Sequence, residues 1–112
     1  MGALWHDIQT STSRAADAAL TATMNALHPD LPPLLWYVGD RNHLFDVVSI
    51  RGQVDAGHYE AEAVVIADQW AVTLGLPQGS PTPGSVEYRG DVDGVQTTVW
   101  AVVDRDLWDQ NN

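Results

Sequence analysis

Cysteine is absent from this chain of 112 residues. That excludes disulfides, thiolate metal sites and a thiol nucleophile. Lysine is absent too: the five basic residues, Arg14, Arg41, Arg51, Arg89 and Arg105, face fifteen acids, for a formal charge of −10. Such a balance disfavours direct binding to nucleic acid or to anionic membranes, because phosphate contacts need clustered basic side chains. No run approaches the ~20 apolar residues that span a bilayer. The first residues, MGALWHDIQTSTSR, lack the basic and apolar regions of a signal peptide. His6 stands where a myristoylation signal wants Ser or Thr. A cytoplasmic protein without a membrane partner is therefore expected. No Gly-rich phosphate loop and no G-x-S-x-G elbow is present.

What is present is enough for one folded α+β domain. The hydrophobic fraction is 45% and the charged fraction 18%. A chain of this length buries roughly two-thirds of its unfolded surface. The want of lysine beside abundant Ala, Val, Asp and Gly points to a GC-rich coding sequence.

Ser13–Leu27 reads as a helix with Ser13 as N-cap and Ala16, Leu20, Met24 and Leu27 on one face. No Gly or Pro interrupts Ala3–Leu27, which favours an earlier start, whereas the Thr10–Ser13 run favours a break. Leu34–Val38 and Leu44–Ile50 read as two strands that pair as a hairpin, followed by a loop from Gly52 to Gly57. His58–Leu74 reads as a helix whose apolar face is Tyr59, Ala63, Ile66, Ala67, Trp70 and Leu74. Gly75, Leu76 and Pro77 then form a helix stop.

Ser85–Val103 carries the strongest local signal. Asp93-Gly94 between alternating residues predicts a two-residue hairpin. Its register sets Val92 opposite Val95, Gly90 opposite Thr97, Tyr88 opposite Val99 and Val86 opposite Ala101. That face is apolar and belongs on the helices. The other face holds Glu87, Arg89 and Asp91 against Gln96, Thr98 and Trp100, with Val102 beyond. Residues 1–12 and 104–112 are expected to fray, unless Leu107 and Trp108 dock. The element order α-β-β-α-β-β suggests a largely antiparallel four-stranded sheet with two helices packed on one face.

The second half of the chain resembles small acidic proteins encoded by actinobacterial phages and related mobile elements. Such proteins often end in a hairpin of the form G-x-V-D-G-V-x-V-x-V-W-A after a helix ending A-x-x-L-G-L-P. The matching residues here are Gly90, Val92, Asp93, Gly94, Val95, Val99, Trp100 and Ala101, with Ala71, Leu74, Gly75, Leu76 and Pro77 before them. Thr97 stands where valine is usual. The resemblance implies an α+β fold and a phage or mobile-element source, hence a host cytoplasm. It implies no activity.

The candidate chemistry is thin. Asp91-Val92-Asp93-Gly94 looks like part of a calcium loop, but residue 102 is valine where the distal Glu belongs; a hairpin turn explains the same string. The four histidines, His6, His28, His43 and His58, form no local zinc pattern. His58, Glu60 and Glu62 suit acid–base work, and equally suit an ordinary helix start. No catalytic residue, metal or cofactor is indicated.

Trp100 is the side chain singled out for a contact. It lies on the polar strand face beside Glu87, Arg89 and Val102, and an aromatic rimmed by polar groups is a common interface anchor. A second layer over that face is the competing explanation. Trp5, Trp36 and Trp70 sit in apolar runs and read as core. The leading expectation is a non-enzymatic accessory protein that binds another protein, or itself, through this open sheet face. One alternative is a nucleic-acid mimic, with Asp55, Glu60, Glu62 and Asp68, or Asp91 and Asp93, imitating a phosphate track. Another is a small ligand-binding domain or enzyme with a site between helix His58–Leu74 and the sheet.

Overall fold

The computed structural model describes residues 2–38, 49–55, 60–79 and 82–111; of residues 2–13 it describes the backbone alone. The elements are α1 (Gly2–Leu27), β1 (Leu35–Val38), β2 (Ser49–Gln53), α2 (Glu60–Leu74), β3 (Ser85–Val92), β4 (Val95–Val102) and α3 (Arg105–Asn111). The Thr10–Ser13 run does not break α1, which is continuous through it.

The four strands form one sheet in the order β1-β2-β4-β3. Each hairpin is antiparallel, but β2 and β4 meet in parallel at the centre. The sheet is thus mixed, not largely antiparallel. A tight turn decides only how a strand pairs with its own hairpin partner. Which strands of the two hairpins meet is decided by the connection through α2. β4 takes the centre because its VQTTVWAV run buries Thr97, Thr98, Val99 and Ala101. β3, with Glu87, Arg89, Gly90 and Asp91, has the charged and glycine content that suits an edge.

The Asp93-Gly94 hairpin follows its predicted register, including Val92 with Val95, Tyr88 with Val99 and Val86 with Ala101. Asp93 has φ 51° and Gly94 φ 84°, the two positive values that a type I′ turn requires. This turn accounts for the Asp-Val-Asp-Gly string. The stop after α2 is a Schellman motif: Leu76 N–H donates to the Ala71 carbonyl (2.8 Å) and Gly75 N–H to that of Val72 (3.3 Å). β2 is shifted from its expected place. It includes Gly52, expected in a loop, while residues 44–48 lie outside the described residues.

One face of the sheet carries the core. Trp36, Gly52, Val99 and Tyr88 form a single row across all four strands. α2 lies on this face with Ala63, Ile66, Ala67, Trp70 and Ala71 buried. Trp70 meets Trp36 edge-to-face, with ring centroids 5.5 Å apart, and His28 at 5.2 Å. Its Nε1–H donates to the Pro32 carbonyl at 2.7 Å. The core roles expected of Trp36 and Trp70 hold; the Trp5 side chain lies outside the described residues.

α1 does more than supply an apolar stripe. Leu20 and Met24 pack on the core, while Ala16 and Leu27 are exposed. Beside them a polar stripe, Asp17, Thr21 and Asn25, bonds the outer backbone of the β1 region. Asp17 Oδ1 accepts from Val38 N–H (2.8 Å), and Thr21 Oγ1 accepts from Trp36 N–H (2.9 Å) and donates to its carbonyl (3.2 Å). Asn25 does the same for Leu34, accepting at 3.1 Å and donating at 3.0 Å. The spacing works because four helical residues rise about 6 Å, close to the ~6.7 Å rise of two strand residues.

The opposite edge is covered as well. Gly79 N–H donates to the Glu87 carbonyl (2.8 Å) and Arg89 N–H to that of Pro77 (2.9 Å). These bonds lay the chain after α2 along β3.

The acidic tail is not frayed at residues 105–111: it forms a third helix, α3, where two were expected. Asp104 is its N-cap, its Oδ1 accepting from Leu107 N–H at 3.0 Å. Glu60 Oε1 accepts from Arg105 N–H at 2.9 Å, tying α3 to the start of α2.

Candidate functional site

The second sheet face holds the residues singled out from the sequence. Register places Glu87 beside Trp100, Arg89 beside Thr98 and Ser85 beside Val102, so Trp100, Arg89, Glu87 and Val102 share one face. Arg89 Nη2 donates to Glu87 Oε1 at 2.6 Å; the Arg89 side chain is 55% exposed and that of Glu87 only 13%. With Arg89 open to solvent, the pair contributes little to stability, on the order of 1 kcal/mol. This pair instead fixes where the guanidinium points.

Trp100 is half-buried rather than bare. α3 lays Trp108 against it, with ring centroids 5.5 Å apart and planes tilted by 31°. The Arg51 guanidinium lies 5.7 Å from the Trp100 ring centroid, within range of a cation–π contact. Both residues were missed in the sequence. Arg51 fell outside the expected second strand, so nothing put it on this face. Trp108 was noted only as able to dock.

The open face is a grid. Tyr37, Arg51, Thr98 and Arg89 form one row from β1 to β3, and Leu35, Gln53, Trp100 and Glu87 the next. Thr98 is short and only 7% exposed, so the two arginines rise on either side of it. With Ser49 and Gln96 they line a shallow groove of about 270 Å³. Leu35 and Tyr37 add exposed apolar surface at the β1 side.

A second concavity, about 260 Å³, lies at the end of the sheet between the first turns of α2 and α3. Ala63, Asp55, Trp100, Arg105 and Trp108 are among its lining. It is the nearest counterpart of a site between α2 and the sheet.

The remaining candidates separate. His43, His58 and Tyr59 lie outside the described residues, as do the His6 and Thr10–Ser13 side chains. His28 packs on Trp70. Of the acids proposed as a phosphate track, Asp55, Glu60, Glu62 and Asp68 have structural work. Glu60 caps α3, Asp68 accepts a hydrogen bond from the Tyr88 hydroxyl, and Asp55 and Glu62 also have partners within the chain. Burial first, and then the Asp68 charge and that hydrogen bond, raise the Tyr88 pKa above its ordinary value. Among the described residues no group of three or more acids or histidines is placed to hold a metal, and no helix is long and apolar enough to cross a membrane.

Compared with known proteins, the chain matches no family model, no curated protein and no solved structure.

Proposed function

We propose that this chain is a non-enzymatic accessory protein, of the kind carried by phages and mobile elements, that binds another protein through the open face of its sheet. The observation that carries the reading is Trp100 on that face, half-buried, flanked by Arg51, Glu87 and Arg89 and continued by exposed Leu35 and Tyr37. Aromatic and arginine side chains set among polar groups are what interface hot spots are made of. The resemblance of the second half of the chain supports the source class and the host cytoplasm as its location.

Immobilised wild type and Trp100→Ala, run in parallel against a host lysate at low and high salt, test this. The expected result is a partner retained by wild type and lost by the variant. A partner held equally by both removes Trp100 as anchor. Capture confined to basic nucleic-acid-binding proteins that wash off in salt would favour mimicry instead.

The cleft between α2, α3 and the sheet end supports one second reading, a small-ligand site. A small-molecule thermal-shift screen distinguishes it: a ligand that stabilises wild type and not Trp108→Ala would place binding there.

A further inference from the structure

Both sheet edges are partly occupied. α1 side chains bond the outer backbone of Leu34, Trp36 and Val38, and residues 77–79 bond that of β3. A partner strand therefore cannot add to the sheet at these residues, and the open face is the sheet surface left for docking. In a chain of charge −10, this face holds a groove lined, among the described residues, by two guanidiniums, Arg51 and Arg89, and by Ser49, Gln96 and Thr98. Both arginines pair with the same residue of β4, Thr98, from its two sides. Their Cα atoms are thus two strand spacings apart, about 10 Å. That gap leaves room for a carboxylate between the two side chains.

Each guanidinium is held by its neighbour. Glu87 takes one N–H of Arg89, and a guanidinium has five to offer. Arg51 lies over Trp100, which constrains it without consuming its donors. Beyond about 8 Å at physiological salt the remaining acids of the chain are screened. Glu87 offsets part of the Arg89 charge and Asp91 stands on the same face opposite Gln96, so the groove's positive potential comes chiefly from Arg51, which has no carboxylate partner among the described residues.

Resting on the reading of the open face as a docking surface, we infer that its occupant is an acidic peptide segment. One carboxylate of that segment seats between Arg51 and Arg89 over Thr98, and an adjacent apolar residue lies along Trp100. Ser49 and Gln96 supply neutral hydrogen-bond partners at the mouth.

The test is a titration of the full chain at physiological salt with tetraglutamate peptide, with tetraglutamine as its neutral control and inorganic phosphate as a small-anion arm. Tryptophan fluorescence reports occupancy, because Arg51 sits on Trp100. The expected result is saturable binding of tetraglutamate with none of tetraglutamine. Arg51→Gln and Arg89→Gln each weaken it by about fivefold, in line with exposed ion pairs. Arg14→Gln, an exposed arginine on α1, leaves it unchanged. Circular dichroism of each variant confirms that it folds.

Absence of saturable tetraglutamate binding overturns the proposal. So does equal weakening by Arg14→Gln, which would reduce it to bulk charge, or phosphate binding as tight as the peptide's. Concentration-dependent dimerisation abolished by Arg51→Gln would overturn it too, by assigning the groove to a second copy. A negative peptide titration beside a partner lost with Trp100→Ala would leave the docking face standing and remove only its acidic occupant.

Discussion

Thr21 and Trp36 are joined by a reciprocal hydrogen bond: the Thr21 hydroxyl accepts from the Trp36 backbone N–H and donates to its carbonyl. One helical side chain thereby stands in for the neighbouring strand that edge strand β1 lacks on its outer side. Thr21→Val keeps the shape and removes both bonds, leaving two backbone groups unpaired. A loss of about 1–3 kcal/mol is expected in urea unfolding. Thr21→Ser keeps the hydroxyl and should recover most of it.

Trp36 and Trp70 are both fully buried, yet their indoles differ. Trp70 donates to Pro32, whereas Trp36 Nε1 has no partner among the described residues. Truncating either to Phe removes the same volume. Trp70→Phe also orphans the Pro32 carbonyl, while Trp36→Phe releases an unsatisfied N–H. Trp70→Phe should therefore be the more destabilising, by about 1–2 kcal/mol. Equal losses in chemical denaturation would contradict this account of the two indoles.

Gly84 is the seat of α3. Its φ is +85°, and a Cβ there would lie 2.5 Å from the Trp108 backbone nitrogen and 2.6 Å from the Asp104 carbonyl oxygen. Gly84→Ala meets backbone on one side and a left-handed conformation on the other, which alone costs about 1–2 kcal/mol. The expected outcome is undocking of α3. Near-ultraviolet circular dichroism should then lose the signal of the Trp100–Trp108 pair while the sheet persists.

Tyr88 sets a limit on the alkaline side. Its folded-state pKa is raised above 10.0, by burial first and then by Asp68. The neutral phenol is thus favoured in the folded state. The stability this contributes is fully present below the unfolded value and is lost as pH rises through the raised folded one. Urea midpoints measured from neutral pH to about pH 11 should fall in wild type above pH 10. In Tyr88→Phe that part of the decline should be missing.

Legibility in the sequence followed the range of the interaction. Residues 85–103 were readable pair by pair, because Asp93-Gly94 admits one turn and one turn admits one register. The end of α2 was readable for the same reason. The site was legible only as far as the hairpin reached: Trp100, Glu87, Arg89 and Val102 were assigned to one face by counting from the turn. Arg51 belongs to the site only because β2 pairs in parallel with β4, a contact no turn encodes. The Asp17, Thr21 and Asn25 stripe lay open to inspection at a spacing of four. By itself that spacing is ordinary helix surface, since only β1 beside it gives the stripe a purpose.

The sequence by itself determined the order of the first six elements, the hairpin register and the alternation that divides an apolar sheet face from a polar one. Backbone dihedral preferences and side-chain periodicity act over a few residues and need no knowledge of the rest of the chain. The tertiary structure decided the parallel meeting of β2 with β4, the closing of both sheet edges and the docking of α3 on Trp100. Those outcomes join residues far apart in the chain. They depend on which buried surfaces and unpaired backbone groups find partners once the whole sheet is assembled.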